Sequence, residues 1–261
     1  FQTCEICDYC KTKEYNICSH RKGLGTHVDG GFAEYVVSRQ ESIHLLPDNV
    51  DFLSAALTEP LACGVHAVME KSKVSPGDLA VVFGPGAIGL LVAQVAKAVG
   101  ARVAIVGISK DETRLNLADK IGIDWAINSR EQSLTDFVNG ITFGKGADII
   151  YECSGSPQAV NVGMEIIKTK GQFVQMGLFL DPHITINADY LVHRELNIIG
   201  SRSQKPSSWV KALKLLTDGK VNTRALVTDT YPLEDWENAF SNSQNGKDVK
   251  AVIYPNGLPK V

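Results

Sequence analysis

Five consecutive apolar residues, Leu79 to Phe83, run straight into Gly84-Pro85-Gly86-Ala87-Ile88-Gly89, after which apolar positions recur with helical spacing at Leu90, Val92, Ala93, Val95 and Ala96. A wholly apolar strand is one buried on both faces, and a helix that follows it through a glycine turn must pack back on the same sheet. Each glycine then has a reason. Gly84 permits the tight turn, Gly86 lets the backbone approach a pyrophosphate, and Gly89 allows close packing of helix on strand, while Ala87 and Ile88 sit at the helix start whose dipole faces the anion. A ligand-free glycine turn is the plain alternative. Strand before, helix after and a second strand at the right distance favour a bound dinucleotide.

From Asp78 onward short apolar runs alternate with longer amphipathic ones, the pattern of βαβ units on a parallel sheet. Six strands are expected there: Leu79 to Phe83, Arg102 to Val106, Trp125 to Ile127, Asp148 to Cys153, Gln172 to Met176 and Leu196 to Ile199. Before them, glycines interrupt the chain, and Phe32 to Val37 reads as a strand rich in aromatic and β-branched residues. Beyond Ser203 come a helix from Ser208 to Thr217, a stop at Gly219, a helix from Leu233 to Ser241 and a strand from Val249 to Tyr254. The expected division is 1–64, 65–202 and 203–261, the first and last parts forming one split, β-rich domain around a doubly wound α/β centre.

In a doubly wound sheet that binds NAD, an acid at the end of the second strand takes the ribose 2′-hydroxyl. That position falls near Gly107, where no acid stands. Ser109, Lys110 and, one helical turn on, Arg114 offer a hydroxyl and two cations instead, which suits a 2′-phosphate. NADP is therefore expected, with NAD as the alternative if Asp111 or Glu112 reaches back to the ribose.

Four of the six cysteines, Cys4, Cys7, Cys10 and Cys18, lie within fifteen residues of one another; Cys63 and Cys153 stand apart in apolar surroundings. Such crowding suits a metal in a reducing, cytoplasmic compartment better than a disulfide framework. Four thiolates close a tetrahedral shell around Zn²⁺ and leave no position for water or substrate, so this zinc is structural. An iron–sulfur cluster is disfavoured because the spacing does not match the ferredoxin run. A net charge of −3 with interspersed acids and bases leaves no basic footprint for nucleic acid, and no apolar stretch is long enough for a membrane span. The chain opens at Phe1, directly before the cysteines and without an initiator Met or signal segment, so a preceding segment is expected to be missing.

Taken in order, Cys4, Cys7, Cys10 and Cys18, then Gly30-Gly31-Phe32-Ala33-Glu34-Tyr35, then Glu59-Pro60-Leu61, then Gly84 to Gly89 resemble the zinc-dependent medium-chain dehydrogenases, most closely the branch of sorbitol, iditol and threonine dehydrogenases. The resemblance runs from Cys4 to Tyr254. It implies a GroES-like catalytic domain carrying two zinc sites, a Rossmann domain inserted before its last segment, and an active site in the cleft between them. It also implies that the Cys and His ligands of the catalytic zinc precede the cysteine cluster, leaving Glu59 as that site's one residue here, a second or exchangeable ligand. Glu59 is equally explained as an acid at a helix start. Cys63 and His66 share a helix face with Glu59 but read as core residues. By the same resemblance Cys153-Ser154-Gly155, Gly177-Leu178-Phe179 and Ser201-Arg202, each after a strand, hold the cofactor, and Lys250 resembles a second phosphate cation, with a solvated surface lysine as its counterpart reading.

The expected reaction is reversible hydride transfer between a secondary alcohol, a polyol or amino alcohol, and a nicotinamide dinucleotide, giving the ketone. A homodimer or homotetramer is expected because the last Rossmann strand leaves an apolar edge. The chain by itself is expected to bind cofactor and to turn over poorly. The rival readings are a non-catalytic nucleotide-binding fragment and a zinc-free quinone or enone reductase of the same fold.

Overall fold

The computed structural model describes residues 2–246 and 248–257; Phe1 lies outside them. Two compact units emerge. One takes the residues up to Ala62 together with those from Ser203 onward, the other Cys63–Arg202.

In chain order the first unit opens with a turn of helix α1 (Asp8–Lys11) inside the cysteine loop, then α2 (Phe52–Ala55), which Asp51 caps by accepting the Ser54 N–H at 2.9 Å. Helix α3 (Thr58–Val65) carries the chain into the second unit and continues as a π-helical turn, His66–Lys71.

The second unit alternates strand and helix: β1 (Leu79–Phe83), α4 (Ala87–Ala98), β2 (Arg102–Gly107), α5 (Glu112–Lys120), β3 (Trp125–Asn128), α6 (Leu134–Thr142), β4 (Ala147–Glu152), α7 (Pro157–Ile166), β5 (Ile167–Gln175), α8 (Asp189–His193) and β6 (Asn197–Gly200). The sheet is parallel throughout, in the order β3-β2-β1-β4-β5-β6. The order reverses between β1 and β4, which opens a crevice at the carboxyl ends of those strands. All five residues of β1 are buried, as a central parallel strand requires. Leu79, Val81 and Phe83 pack with Ile150, Phe173, Val138 and Met164 in the core on one side of the sheet. Helix starts follow local chemistry: Ser133 accepts the Asp136 N–H ahead of α6, and Ser156 that of Ala159 ahead of α7, where Pro157 takes the first helical position.

The first unit resumes with α9 (Pro206–Thr217), ended by Gly219 at φ +63°, then β7 (Val227–Pro232), α10 (Trp236–Gln244) and β8 (Lys250–Tyr254), with β7 and β8 paired in parallel.

The expected strand at Phe32 to Val37 does not form. Tyr35 and Val37 are about nine-tenths exposed, at 89% and 91%, and no strand among the described residues pairs with the segment. β-propensity describes how well a side chain fits a paired, half-buried surface, and without a partner the same residues form no ladder, with residues 31–34 bending instead. The last strand starts at Lys250 itself, and the helix expected from Leu233 begins as a 3₁₀ turn, Leu233–Asp235, before α10.

Candidate cofactor crevice and cysteine cluster

The turn after β1 behaves as its glycines require. Gly84 sits at φ +93°, and a β-carbon at Gly89 would collide with the carbonyl oxygen of Gly84, so α4 can lie this close to β1 only with glycine there. Gly86 caps α4 with extended backbone, φ −73° and ψ 179°, and a β-carbon on it would meet nothing within 4 Å. That open space lies where helix geometry leaves the first main-chain N–H groups, those of Ala87 and Ile88, without intrahelical acceptors.

Beside this turn is a cavity of about 660 Å³, lined by Gly84, Gly107, Ile108, Lys110, Asp111, Ser129, Arg130 and Ser154 among others. Its size is that of a small-molecule pocket. Buried Asp111 accepts the Ile108 N–H on Oδ2 at 3.1 Å, fixing the turn after β2, while its Oδ1 receives Arg114 Nη1 at 3.4 Å. Arg114 is thereby held by an i,i+3 ion pair and is not among the residues lining the cavity. Arg130, which the sequence reading passed over, does line it, from just beyond the end of β3, as does Lys110 from beyond β2. Parallel pairing of Gly107 with Asn128 puts the residues that follow β2 and β3 side by side, and this register was the signal that could have found Arg130. Ser109 is exposed, its Oγ accepting Asn128 Nδ2 at 3.3 Å.

Two more strand ends meet on the far side of the turn. The Cys153 N–H donates to the Phe83 carbonyl, and the Cys153 thiol, 3.8 Å from Met176 Sδ, is pushed above its ordinary range by burial. Cys153 thus offers its backbone rather than a reactive sulfur. A β-carbon at Gly155 would collide with the Leu178 carbonyl, and one at Gly177 with the Gly155 N–H, so the loops after β4 and β5 are in contact. Leu178 is exposed and Phe179 half-buried. At the end of β6 the Ser201 N–H donates to the Gln175 carbonyl, while its Oγ is buried with no hydrogen-bond partner among the described residues, a polar atom disposed for a ligand. Arg202 beside it is exposed.

In the first unit, Cys4, Cys7, Cys10 and Cys18 form the one cluster of three or more metal-binding side chains among the described residues, their sulfurs all within 4.8 Å of one another. Helix α1 sets two of them, Cys7 as its N-cap and Cys10 within it, and the 3₁₀ turn Tyr15–Ile17 delivers Cys18. The sulfur separations are 3.5 Å for Cys7–Cys10, 3.6 Å for Cys18–Cys4 and 3.9 Å for Cys4–Cys10. A zinc–sulfur distance of about 2.3 Å gives a tetrahedral edge of about 3.8 Å. The set therefore fits zinc. Main-chain N–H groups favour two of the thiolates: that of Cys10 holds Cys7 down to about 6, and that of Cys4 lowers Cys18, whereas burial drives Cys10 up to about 12. A divalent cation removes that last resistance by deprotonating the thiols it binds.

Glu59 lies exposed in the first turn of α3. Buried His66 is held by Glu70, Nδ1 to Oε2 at 2.8 Å, and joins no metal cluster with Cys63. Lys250 is exposed on the β7–β8 sheet. A smaller cavity of about 380 Å³ in the first unit is lined by Tyr15, Arg39, His44 and Trp209. Its arginine is ion-paired with Glu5 and Glu41, and its His44 and Trp209 rings stack on each other.

Residues 87–218 match the zinc-binding dehydrogenase family, and residues 1–48 the alcohol dehydrogenase GroES-like domain. The chain belongs to the zinc-binding dehydrogenase family. It is 47% identical over 255 residues to the sorbitol dehydrogenase of Halalkalibacterium halodurans, covering 98% of this chain and 74% of that one. To the D-arabitol-phosphate dehydrogenase of Enterococcus avium it is 44% identical over 256 residues, 98% and 73% of the two chains. Among solved structures, a zinc-binding dehydrogenase of Sinorhizobium meliloti bound to NADP superposes with a TM-score of 0.89 at 26% identity, over 97% of this chain and 74% of that one. The expected branch, with GroES-like and Rossmann domains, is borne out. Among the described residues, no helix of this zinc-binding dehydrogenase is long and apolar enough to cross a membrane.

Proposed function

We propose that this chain binds the cofactor in a dehydrogenase that oxidises a secondary alcohol of a polyol or polyol phosphate, using NADP in preference to NAD. The observation that carries the reading is the glycine turn between β1 and α4, placed where the strand order reverses and opening on a cavity lined by Lys110 and Arg130. When bound, the nicotinamide supplies hydride transfer. The chain's own residues bind and orient. Gly84, Gly86 and Gly89, with the N–H groups of Ala87 and Ile88, receive the pyrophosphate. Lys110 and Arg130 face the adenosine end, where Arg130's planar fork suits a 2′-phosphate; Gly107, lacking a side chain, and Ser109 leave room for it. Asp111, one of the two acids, with Glu112, that could take an NAD ribose, is already engaged by Ile108 and Arg114. Cys153 through its backbone, Ser154, Gly155, Gly177, Leu178, Phe179 and the Ser201 hydroxyl hold the nicotinamide end, and Arg202 pairs a pyrophosphate oxygen.

Cys4, Cys7, Cys10 and Cys18 hold a structural zinc that orders their loop, and Glu59 stands as the residue this chain contributes beside a catalytic metal. The substrate class is supported by two relatives, 47% and 44% identical, named for a polyol and a polyol phosphate. A homodimer or homotetramer formed through the β6 edge is supported by Ile198, 48% exposed on the outermost strand, and a reducing, cytoplasmic setting by six cysteines free of disulfides. Calorimetric titration with NADPH and NADH tests the reading. Tighter NADPH binding, weakened about tenfold or more in Arg130→Ala while NADH binding holds, is expected for a lost charged phosphate contact. Folded protein that binds neither nucleotide would overturn it.

A further inference from the structure

Glu152, the last residue of β4, is fully buried at 0% exposure, and its hydrogen-bond partners are all neutral. An ionised carboxylate taken out of water persists only where donors replace its hydration. Here every donor comes from the loop after β4 or from the last residue of β5. From the loop after β4, the Ser154 N–H donates at 2.8 Å, the Ser154 hydroxyl donates as well, and the Gly155 N–H reaches both carboxylate oxygens at 3.0 Å. From the end of β5, Gln175 Nε2 donates to Oε2 at 2.7 Å and also to the Gly177 carbonyl at 2.8 Å. The main-chain carbonyl of the same glutamate accepts the N–H groups of Met176 and Gly177, both at 2.9 Å. A β-carbon on Gly177 would press on the Glu152 carboxylate and the Gly155 N–H, so glycine at 177 is what lets the two loops close on this acid.

We infer that Glu152 is a positioning residue: one buried carboxylate ties the loop after β4 to the loop after β5 and thereby fixes the surface that receives the nicotinamide end of the cofactor. The inference rests on the proposed function for the identity of what the loops hold; the tie itself stands on the geometry alone. A carboxylate is required because all of the donors converge on it. In Glu152→Gln, which keeps size and shape, one oxygen becomes an NH₂ group facing the donor from Ser154 or the one from Gln175, and no rotation of the amide satisfies both.

The test compares two ligands and one ligand-free measurement. For Glu152→Gln, NADPH binding is expected to weaken about tenfold, whereas 2′,5′-ADP, gripped chiefly by Lys110 and Arg130 at the other end of the site, changes by less than about threefold. Amide hydrogen exchange in the ligand-free protein is expected to speed up together in residues 153–156 and 176–179. Gln175→Leu removes only the tie to the β5 loop; it is expected to raise exchange at 176–179 alone, with a smaller loss for NADPH, and it serves if Glu152→Gln does not fold. Equal losses for NADPH and 2′,5′-ADP would assign Glu152 a merely structural role and overturn the inference, as would unchanged exchange in both loops. If the unsubstituted protein binds neither ligand, the cofactor reading fails while the exchange measurement still decides whether Glu152 ties the loops.

Discussion

Two alanines three residues apart separate what the phosphate turn does for folding from what it does for binding. At Gly89 a methyl group gains about 1 kcal/mol of helix propensity. Against this it collides with the Gly84 carbonyl in a buried helix–strand contact, and such overpacking costs roughly 1–3 kcal/mol. The net expectation is a loss of about 1 kcal/mol and a fall in Tm of roughly 2–4 °C for a chain of this size. At Gly86 the same methyl group meets nothing within 4 Å, and the backbone, at φ −73°, is one that alanine adopts freely. The slightly poorer cap and the reduced freedom of the unfolded chain offset each other to within about 0.5 kcal/mol. Only a ligand would feel that methyl group. A pyrophosphate kept from the N–H groups at the start of α4 loses a charge-assisted hydrogen bond of about 1.5–3 kcal/mol, roughly 10–150-fold in affinity. Thermal unfolding read alongside calorimetric titration with NADPH should therefore show Gly89→Ala losing stability and affinity together, and Gly86→Ala losing affinity alone. Wild-type NADPH affinity in Gly86→Ala would refute the cradle, since nothing in the fold compensates for a side chain placed there.

Elemental analysis should find about one zinc per chain, and Cys10→Ser, which replaces a buried sulfur of the tetrahedron, should abolish it and speed amide exchange across residues 4–18. Tyr151→Phe removes the 2.7 Å bond to Ser72 Oγ in the core; because that hydroxyl keeps the Ala67 and Val68 carbonyls as partners, the loss should be about 1 kcal/mol in denaturant unfolding, not the larger penalty of an orphaned buried group. Asp51 caps α2, and the Ser54 hydroxyl beside it holds its carboxyl below the usual range. Its contribution is therefore complete above the unfolded aspartate value of about 3.9 and fades as pH falls through the lower native value. Asp51→Ala should lose about 0.5–1 kcal/mol at pH 7, with the difference from the parent shrinking below about pH 4.

The Rossmann half was legible from residues 79 to 202 because parallel strands buried on both faces advertise themselves as apolar runs, and because Gly84 and Gly89 answer to local backbone geometry that needs no distant partner. The four-cysteine cluster was legible for a related reason: one short loop carries all four thiols. What escaped depended on partners remote in the chain. Phe32 to Val37 has the composition of a strand, yet composition cannot supply the neighbour that makes one. Arg114 is a different case: it was credited with a phosphate because helical spacing brings it near Lys110, and the same spacing pairs it with Asp111, only three residues away.

Glu152 and Arg130 went unread because nothing around them in sequence marks them. Both become meaningful only through cross-strand register, Glu152 beside Gln175 and, at the ends of β2 and β3, Gly107 beside Asn128. In a doubly wound sheet the strand carboxyl ends are where loops from distant parts of the chain converge, so a site there has two kinds of residue. Glycines that shape a single turn are fixed locally and can be found by pattern. Side chains that join one turn to the next are fixed by register, and a buried acid with only neutral donors around it is the form such a joint takes when it must bind several N–H groups at once. The two kinds should also fail differently when substituted: a turn glycine disturbs one ligand group, whereas a joint such as Glu152 loosens two loops together and leaves the adenosine end largely intact.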